Sequence, residues 1–133
     1  MLAYLDTSAL VKLVDIEAET SALETWLAEH EARIITSSLT LTELPRAIRH
    51  SNPVLLSTAY DWLRACAIVN LDSSLFECAA RIDPPLLRSL DALHLAAAIH
   101  LGGQLDAFVS YDHRLIEAAR QAGLRTASPG TAE

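Results

Sequence analysis

Asp6, Glu43, Asp91 and Asp112 are the residues whose type and spacing point most directly to chemistry. Asp6 closes the apolar run Leu2-Ala3-Tyr4-Leu5, and Asp112 follows Phe108-Val109-Ser110-Tyr111, so two acids stand where predicted strands end. In an open parallel sheet, ligands collect at the carboxyl ends of the strands. Glu43 and Asp91 fall on predicted helices that can cover the same edge. Two carboxylates ~4 Å apart repel by about 4 kcal/mol at an effective dielectric of about 20, so a cluster of four must hold protons or bind cations. At neutral pH a divalent ion answers that need. With oxygen donors, and no cysteine or histidine partner at suitable spacing, the ion is Mg2+ or Mn2+ rather than zinc. No basic residue of the sequence is obviously placed to neutralise the four.

Each acid taken singly also has a structural explanation. Asp6 can cap a helix beginning at Ser8, and Asp112 stands where an N-cap belongs before His113-Arg114-Leu115-Ile116. Thr40-Leu41-Thr42-Glu43 has the spacing of a capping box. Asp91 lies in the first turn of its helix, where the backbone dipole favours negative charge. Capping explains a helix start, but not why acids follow apolar strands at both Asp6 and Asp112 while two more stand on helices over the same edge.

Around the acids, Ser8 and Ser110 are candidates for orienting water or a metal-bound ligand, with helix capping and strand-end hydrogen bonding as their structural alternative. His94, His100 and His113 lie next to the acids in sequence. Nothing pairs them with a second histidine or a nucleophilic serine, so they read as core or surface groups. Among ten basic residues only Lys12 is a lysine. Cationic contacts to phosphate therefore fall to arginines, which grip it bidentately, and Arg46, Arg49 and Arg114 are the ones near the acids.

The net charge of −7 argues against a protein that coats nucleic acid through general phosphate neutralisation, and leaves such binding to local patches. With 133 residues, 51% of them hydrophobic, the chain suits one domain that buries a core without staples. Cys66 and Cys78 lack the spacing of a metal knuckle, and a reducing cytoplasm is their simplest setting. Asp6, Lys12 and Asp15 interrupt the start, which does not read as a signal peptide, and the apolar run Ala92 to Leu101 is shorter than the ~20 residues needed to span a bilayer.

The elements that must position the acids follow from hydrophobic period. Strands are predicted at Leu2 to Leu5, Arg33 to Ser37, Ala67 to Leu71 and Ala107 to Ser110, with a short fifth at Arg125 to Ala127. Helical patterns occupy Glu19 to Glu31, Val54 to Cys66, Ser74 to Ile82, Ser89 to Leu101 and His113 to Ala122. The helix before Gly102-Gly103 is apolar nearly all round, hence central. Alternation of strand and helix implies parallel pairing and a three-layer α/β/α sandwich around a mainly parallel sheet of about five strands. Residues 1–133 form one domain on this pattern, with 127–133 as a flexible tail. Pro45 makes the Glu43 helix start late or kink. Apolar residues near Leu10, Leu13 and Val14, and from Val54 to Leu63, suggest core with some surface left for a partner.

Four segments in order, Tyr4 to Lys12, Leu39 to Glu43, Leu90 to Ala98 and Phe108 to Leu115, resemble PIN-domain ribonucleases, most closely the VapC toxins of bacterial toxin–antitoxin pairs. The resemblance spans essentially the whole chain. It implies the PIN-like sandwich and an Mg2+- or Mn2+-dependent endoribonuclease that hydrolyses RNA with metal-activated water. It further implies a homodimer silenced by a VapB-like antitoxin. The family's acidic quartet falls on Asp6, Glu43, Asp91 and Asp112, and the hydroxyl that accompanies the fourth acid falls on Ser110. Pro45 is the departure, since it can shift the Glu43 carboxylate. A structure-specific DNA nuclease of the same fold and a non-catalytic acid-pocket binding module remain as alternatives. A phosphatase of the haloacid dehalogenase type would want an acid two residues after Asp6, where Ser8 stands.

Overall fold

The structure, a computed structural model, describes residues 1–131. Five strands, β1 (Leu2–Leu5), β2 (Arg33–Ser37), β3 (Ala67–Val69), β4 (Ala107–Val109) and β5 (Thr126–Ala127), form one sheet in the order β3-β2-β1-β4-β5, every pair parallel. The helices are α1 (Thr7–Val14), α2 (Thr20–Glu29), α3 (Thr40–Ser51), α4 (Leu56–Ala65), α5 (Ser73–Ala80), α6 (Ser89–Leu101) and α7 (His113–Gln121).

Strand side chains alternate between two cores, as a period of two requires. Ala3, Leu5 and Val109 pack with residues of α1 to α4, including Leu10, Leu23, Ile48 and Leu63. Tyr4 and Phe108 point the other way and pack with Leu75, Leu95, Leu115 and Ala119 of α5, α6 and α7. These two cores on opposite faces make the predicted three-layer sandwich. Both faces of β1 and β4 are buried, which is why they read as continuous apolar runs.

Strand order runs outward in opposite directions from β1 and β4, making the crevice beyond their carboxyl ends the topological switch point. The Asp6 amide donates to the Val109 carbonyl at 3.2 Å, so the two chain segments leave the sheet side by side. Asp6 follows one strand, and Ser110 and Asp112 follow the other.

Some expectations change. β3 ends at Val69, two residues early. Leu10, Leu13 and Val14 are core residues, whereas Ile16 just beyond them is 87% exposed and Val54 is 85% exposed. α3 starts at Thr40 and continues through Pro45, so it does not start late. Within the stretch expected to be a tail, Tyr111 Oη donates to the Pro129 carbonyl and Ser128 Oγ to the Ser110 carbonyl, both at 2.7 Å. Residues 132 and 133 of that stretch lie outside the described residues. No helix among the described residues is long and apolar enough to cross a membrane.

Candidate active site

Asp6 ends β1 and caps α1, its Oδ1 accepting the Ala9 amide at 3.1 Å. Ser8 Oγ also donates to Oδ1, and Ser110 Oγ donates to Oδ2, both at 2.7 Å. The carboxyl is 4% exposed. Burial pushes its pKa up, and the hydrogen bonds from Ser110 and Ser8 only partly counter that. Both candidate serines are therefore spent on orienting Asp6. Each also takes a backbone amide from the β4–α7 turn, Ser8 from Tyr111 and Ser110 from Asp112.

Asp112 caps α7, with Oδ1 accepting the Arg114 and Leu115 amides at 2.9 and 3.2 Å. Its Oδ2 faces Arg88, the residue before α6, whose guanidinium also reaches Asp91 Oδ2 in the first turn of that helix; both contacts are 3.3 Å. The chain thus supplies a cation across two of the four acids, contrary to the expectation that no basic residue is built to neutralise them. Arg88 is largely exposed, so the contact is exchangeable with solvent and other cations.

Glu43 corrects a second expectation. Thr40 and Glu43 do not form a capping box: α3 has no side-chain cap, and Thr40 Oγ1 instead meets Thr36 Oγ1 at 2.7 Å at the end of β2. The Glu43 carboxylate is freed for tertiary contacts. Its Oε1 accepts from Thr7 Oγ1 and from His94 Nε2, each at 2.7 Å. Burial works to raise its pKa, but the bonds from His94 and Thr7 outweigh it and hold the carboxyl below its ordinary value. Pro45 therefore leaves Glu43 within reach of the site. His94, read from sequence as a core or surface group, is 3% exposed and bonded to an acid of the site.

Short links join the four acids: Ser110 connects Asp6 to the Asp112 backbone, Arg88 connects Asp112 to Asp91, and Thr7, next to Asp6, holds Glu43. Arg88, Asp91, His113 and Arg114 line a cavity of about 450 Å³ beside them. Arg46 and Arg49 lie exposed on α3 beyond Glu43, where they border a smaller hollow with His50.

Among the described residues, no three or more His, Cys, Asp or Glu side chains are arranged as a ready metal centre. The donor chemistry nevertheless fits a hard divalent ion. The donors are carboxylate oxygens, Asp6 is buried with only neutral donors bonded to it, and two of its neighbours already hold a cationic side chain. An ion shared by Asp91 and Asp112 would compete with Arg88 for those two carboxylates.

The sequence matches the family model described as PIN domain over residues 3–121. It is 44% identical over 131 residues to Ribonuclease VapC47 of Mycobacterium tuberculosis, covering 96% of each chain. In fold it is similar to the Mycobacterium tuberculosis toxin VapC20, a structure described as a sarcin-ricin loop cleaving toxin, with a TM-score of 0.76 and 18% identity over 96% of this chain and 99% of that one. It is likewise similar to a chain in the VapBC2 complex of Rickettsia felis bound to a promoter DNA fragment, with a TM-score of 0.71 and 17% identity over 96% and 98% of the two chains.

Proposed function

The chain belongs to the PIN domain family and to its VapC ribonuclease branch, and from that premise we propose that it is a metal-dependent endoribonuclease toxin with Asp6, Glu43, Asp91 and Asp112 as its catalytic acids. The main support is the linkage of four acids from four separate segments at the switch point of one parallel sheet. Asp6, Asp91 and Asp112 would hold Mg2+ or Mn2+, with Glu43 contributing from the side of α3. A divalent ion so held supplies Lewis acidity toward the phosphodiester and toward water.

The chain's own residues do the rest. Ser8 and Ser110 fix Asp6 by both oxygens, so its lone pairs keep one orientation without reorganisation during the reaction. Burial keeps bulk water from screening that charge. Glu43, held ionised by its hydrogen bonds, can orient the attacking water by accepting a hydrogen bond from it, and in-line hydrolysis leaves a 5′ phosphate and a 3′ hydroxyl, the water's proton ending on the leaving 3′ oxygen. Arg114 on the cavity rim and Arg46 and Arg49 on α3 would grip flanking phosphates, and Arg88, once displaced from Asp91 and Asp112, is available for the same task.

The partners proposed are RNA, a second copy of the chain and a VapB-like antitoxin; the Rickettsia felis relative is a VapBC complex, which supports the last. A cytoplasmic location completes the proposal, in keeping with two free cysteines. The test is cleavage of structured RNAs with Mg2+ or Mn2+ against EDTA, with Asp6→Asn as control. Cleavage that needs the metal and is lost in the variant is expected. Cleavage that survives both EDTA and Asp6→Asn would refute the assignment, as would manganese binding with no hydrolysis of any RNA while flapped DNA is cut.

A further inference from the structure

We propose that Tyr4 and His94 form a buried positioning relay for Glu43, which fixes one carboxylate oxygen and reserves the other for the acid site. The proposal rests on the metal-nuclease assignment above and adds two residues to it. His94 Nε2 lies 2.7 Å from Glu43 Oε1, and Nδ1 lies 2.7 Å from Tyr4 Oη. Since an ionised carboxylate only accepts, Nε2 is the donor, and in the neutral ring Tyr4 O–H donates to Nδ1. The phenol thereby selects the ring tautomer that can serve Glu43.

Every member of the relay is held. Tyr4 is fully buried on β1, stacked on Phe108 with ring centroids 5.3 Å apart and planes 6° apart. His94 meets the Tyr4 ring edge-on at 5.9 Å and 77°. Thr7 Oγ1 supplies a second 2.7 Å bond to the same Oε1, so two donors from different elements converge on one oxygen. Among the described residues, no hydrogen bond is made to Oε2. A flexible glutamate on the far side of the switch point from Asp112 is thus given a single presentation.

Core packing alone does not call for this arrangement. Buried polar groups replaced by apolar side chains of similar shape often leave stability unchanged or raise it. A chain of hydroxyl, imidazole and carboxylate that runs from the centre of the sheet to a partly exposed acid is what preorganisation of a site requires. Tyr4 and His94 touch neither substrate nor reacting atoms, so theirs is a positioning role.

The experiment compares the parent with His94→Leu, His94→Gln and Tyr4→Phe by calorimetric Mn2+ titration, RNA cleavage kinetics and thermal unfolding in EDTA. His94→Leu should lower kcat and weaken Mn2+ binding by about 10- to 100-fold, the usual cost of losing a group that orients a metal ligand, with KM for RNA unchanged. His94→Gln, whose amide N–H can reach Glu43, should recover most of both. Tyr4→Phe should shift both in the same direction as His94→Leu by a smaller factor while remaining folded. Parent-like Mn2+ affinity and kcat in His94→Leu overturn the relay. So do equal losses in His94→Leu and His94→Gln that merely follow their melting temperatures. If His94→Leu does not fold, Tyr4→Phe decides: parent-like behaviour refutes the proposal and the stated shift supports it. A parent that binds Mn2+ but cuts no RNA sinks the nuclease assignment and leaves the relay to be judged on the titrations. A parent that binds no Mn2+ overturns both.

Discussion

Asp112 has a structural duty as a helix cap and a proposed chemical one, and two substitutions separate them. Its Oδ1 caps α7 through the Arg114 and Leu115 amides, and its Oδ2 belongs to the acid site. Asparagine caps about as well as aspartate, so Asp112→Asn should keep the cap. It gives up the Arg88 ion pair, which at this exposure contributes at most about 1 kcal/mol. Asp112→Ala gives up the same ion pair and the cap as well, about 1 kcal/mol more. For a domain of this size that difference corresponds to a melting temperature roughly 3–5 °C lower than that of Asp112→Asn. Cleavage should follow the opposite logic. Both variants lack the negative oxygen, and losing several kcal/mol of charge stabilisation lowers kcat by about 100-fold or more in each. Thermal unfolding in EDTA, with RNA cleavage in excess Mn2+, reads both quantities. Asp112→Asn cutting at the parent rate would reduce Asp112 to a helix cap. Identical melting of the two variants would remove the cap from the explanation.

Three further outcomes are expected. Burial raises the Asp6 pKa, so the folded apoprotein binds that proton more tightly than the unfolded chain, and its contribution to stability is lost as pH rises from about 4 through the raised value. Asp6→Asn has no such loss, and its melting advantage over the parent in EDTA should grow from about pH 4 to about pH 7; Glu43, shifted the other way, is common to both proteins and cancels. An advantage that shrinks over that span contradicts the burial cost. Arg88→Gln should change stability by less than about 1 kcal/mol yet tighten Mn2+ binding several-fold, because the ion no longer displaces an internal cation; calorimetry showing equal or weaker binding would rule out that competition. Arg46→Gln combined with Arg49→Gln should reduce the slope of log affinity against log salt for single-stranded RNA by about 1.4, at about 0.7 for each phosphate no longer neutralised. An unchanged slope places the phosphates elsewhere.

The sheet and the places of the acids were legible in the sequence because they rest on local pattern. Apolar runs ending in Asp6 and in Ser110-Tyr111-Asp112 mark strands that deliver acids to one edge, and the nearly all-apolar Ala92 to Ala98 stretch marks a buried helix. The pairings within the site were not legible, since they join residues far apart in the chain. Arg88 meets Asp112 across 24 positions, and its direction depends on the path of the loop after α5. His94 meets Glu43 across 51 positions and Tyr4 across 90, pairings that exist only once α6 packs on the sheet. The capping box failed for a related reason: Leu39 is already helical, and Thr36 at the end of β2 takes the Thr40 hydroxyl. One signal was available for His94, a polar residue in the middle of an otherwise apolar helix, which needs a buried partner.

The most direct test of the central claim is a crystal structure with Mn2+, its position fixed by anomalous scattering. One or two manganese peaks bounded by Asp6, Asp91 and Asp112, with Glu43 alongside and Arg88 moved away, are the expected result. Manganese bound elsewhere, with Arg88 still bridging Asp91 and Asp112, would contradict it.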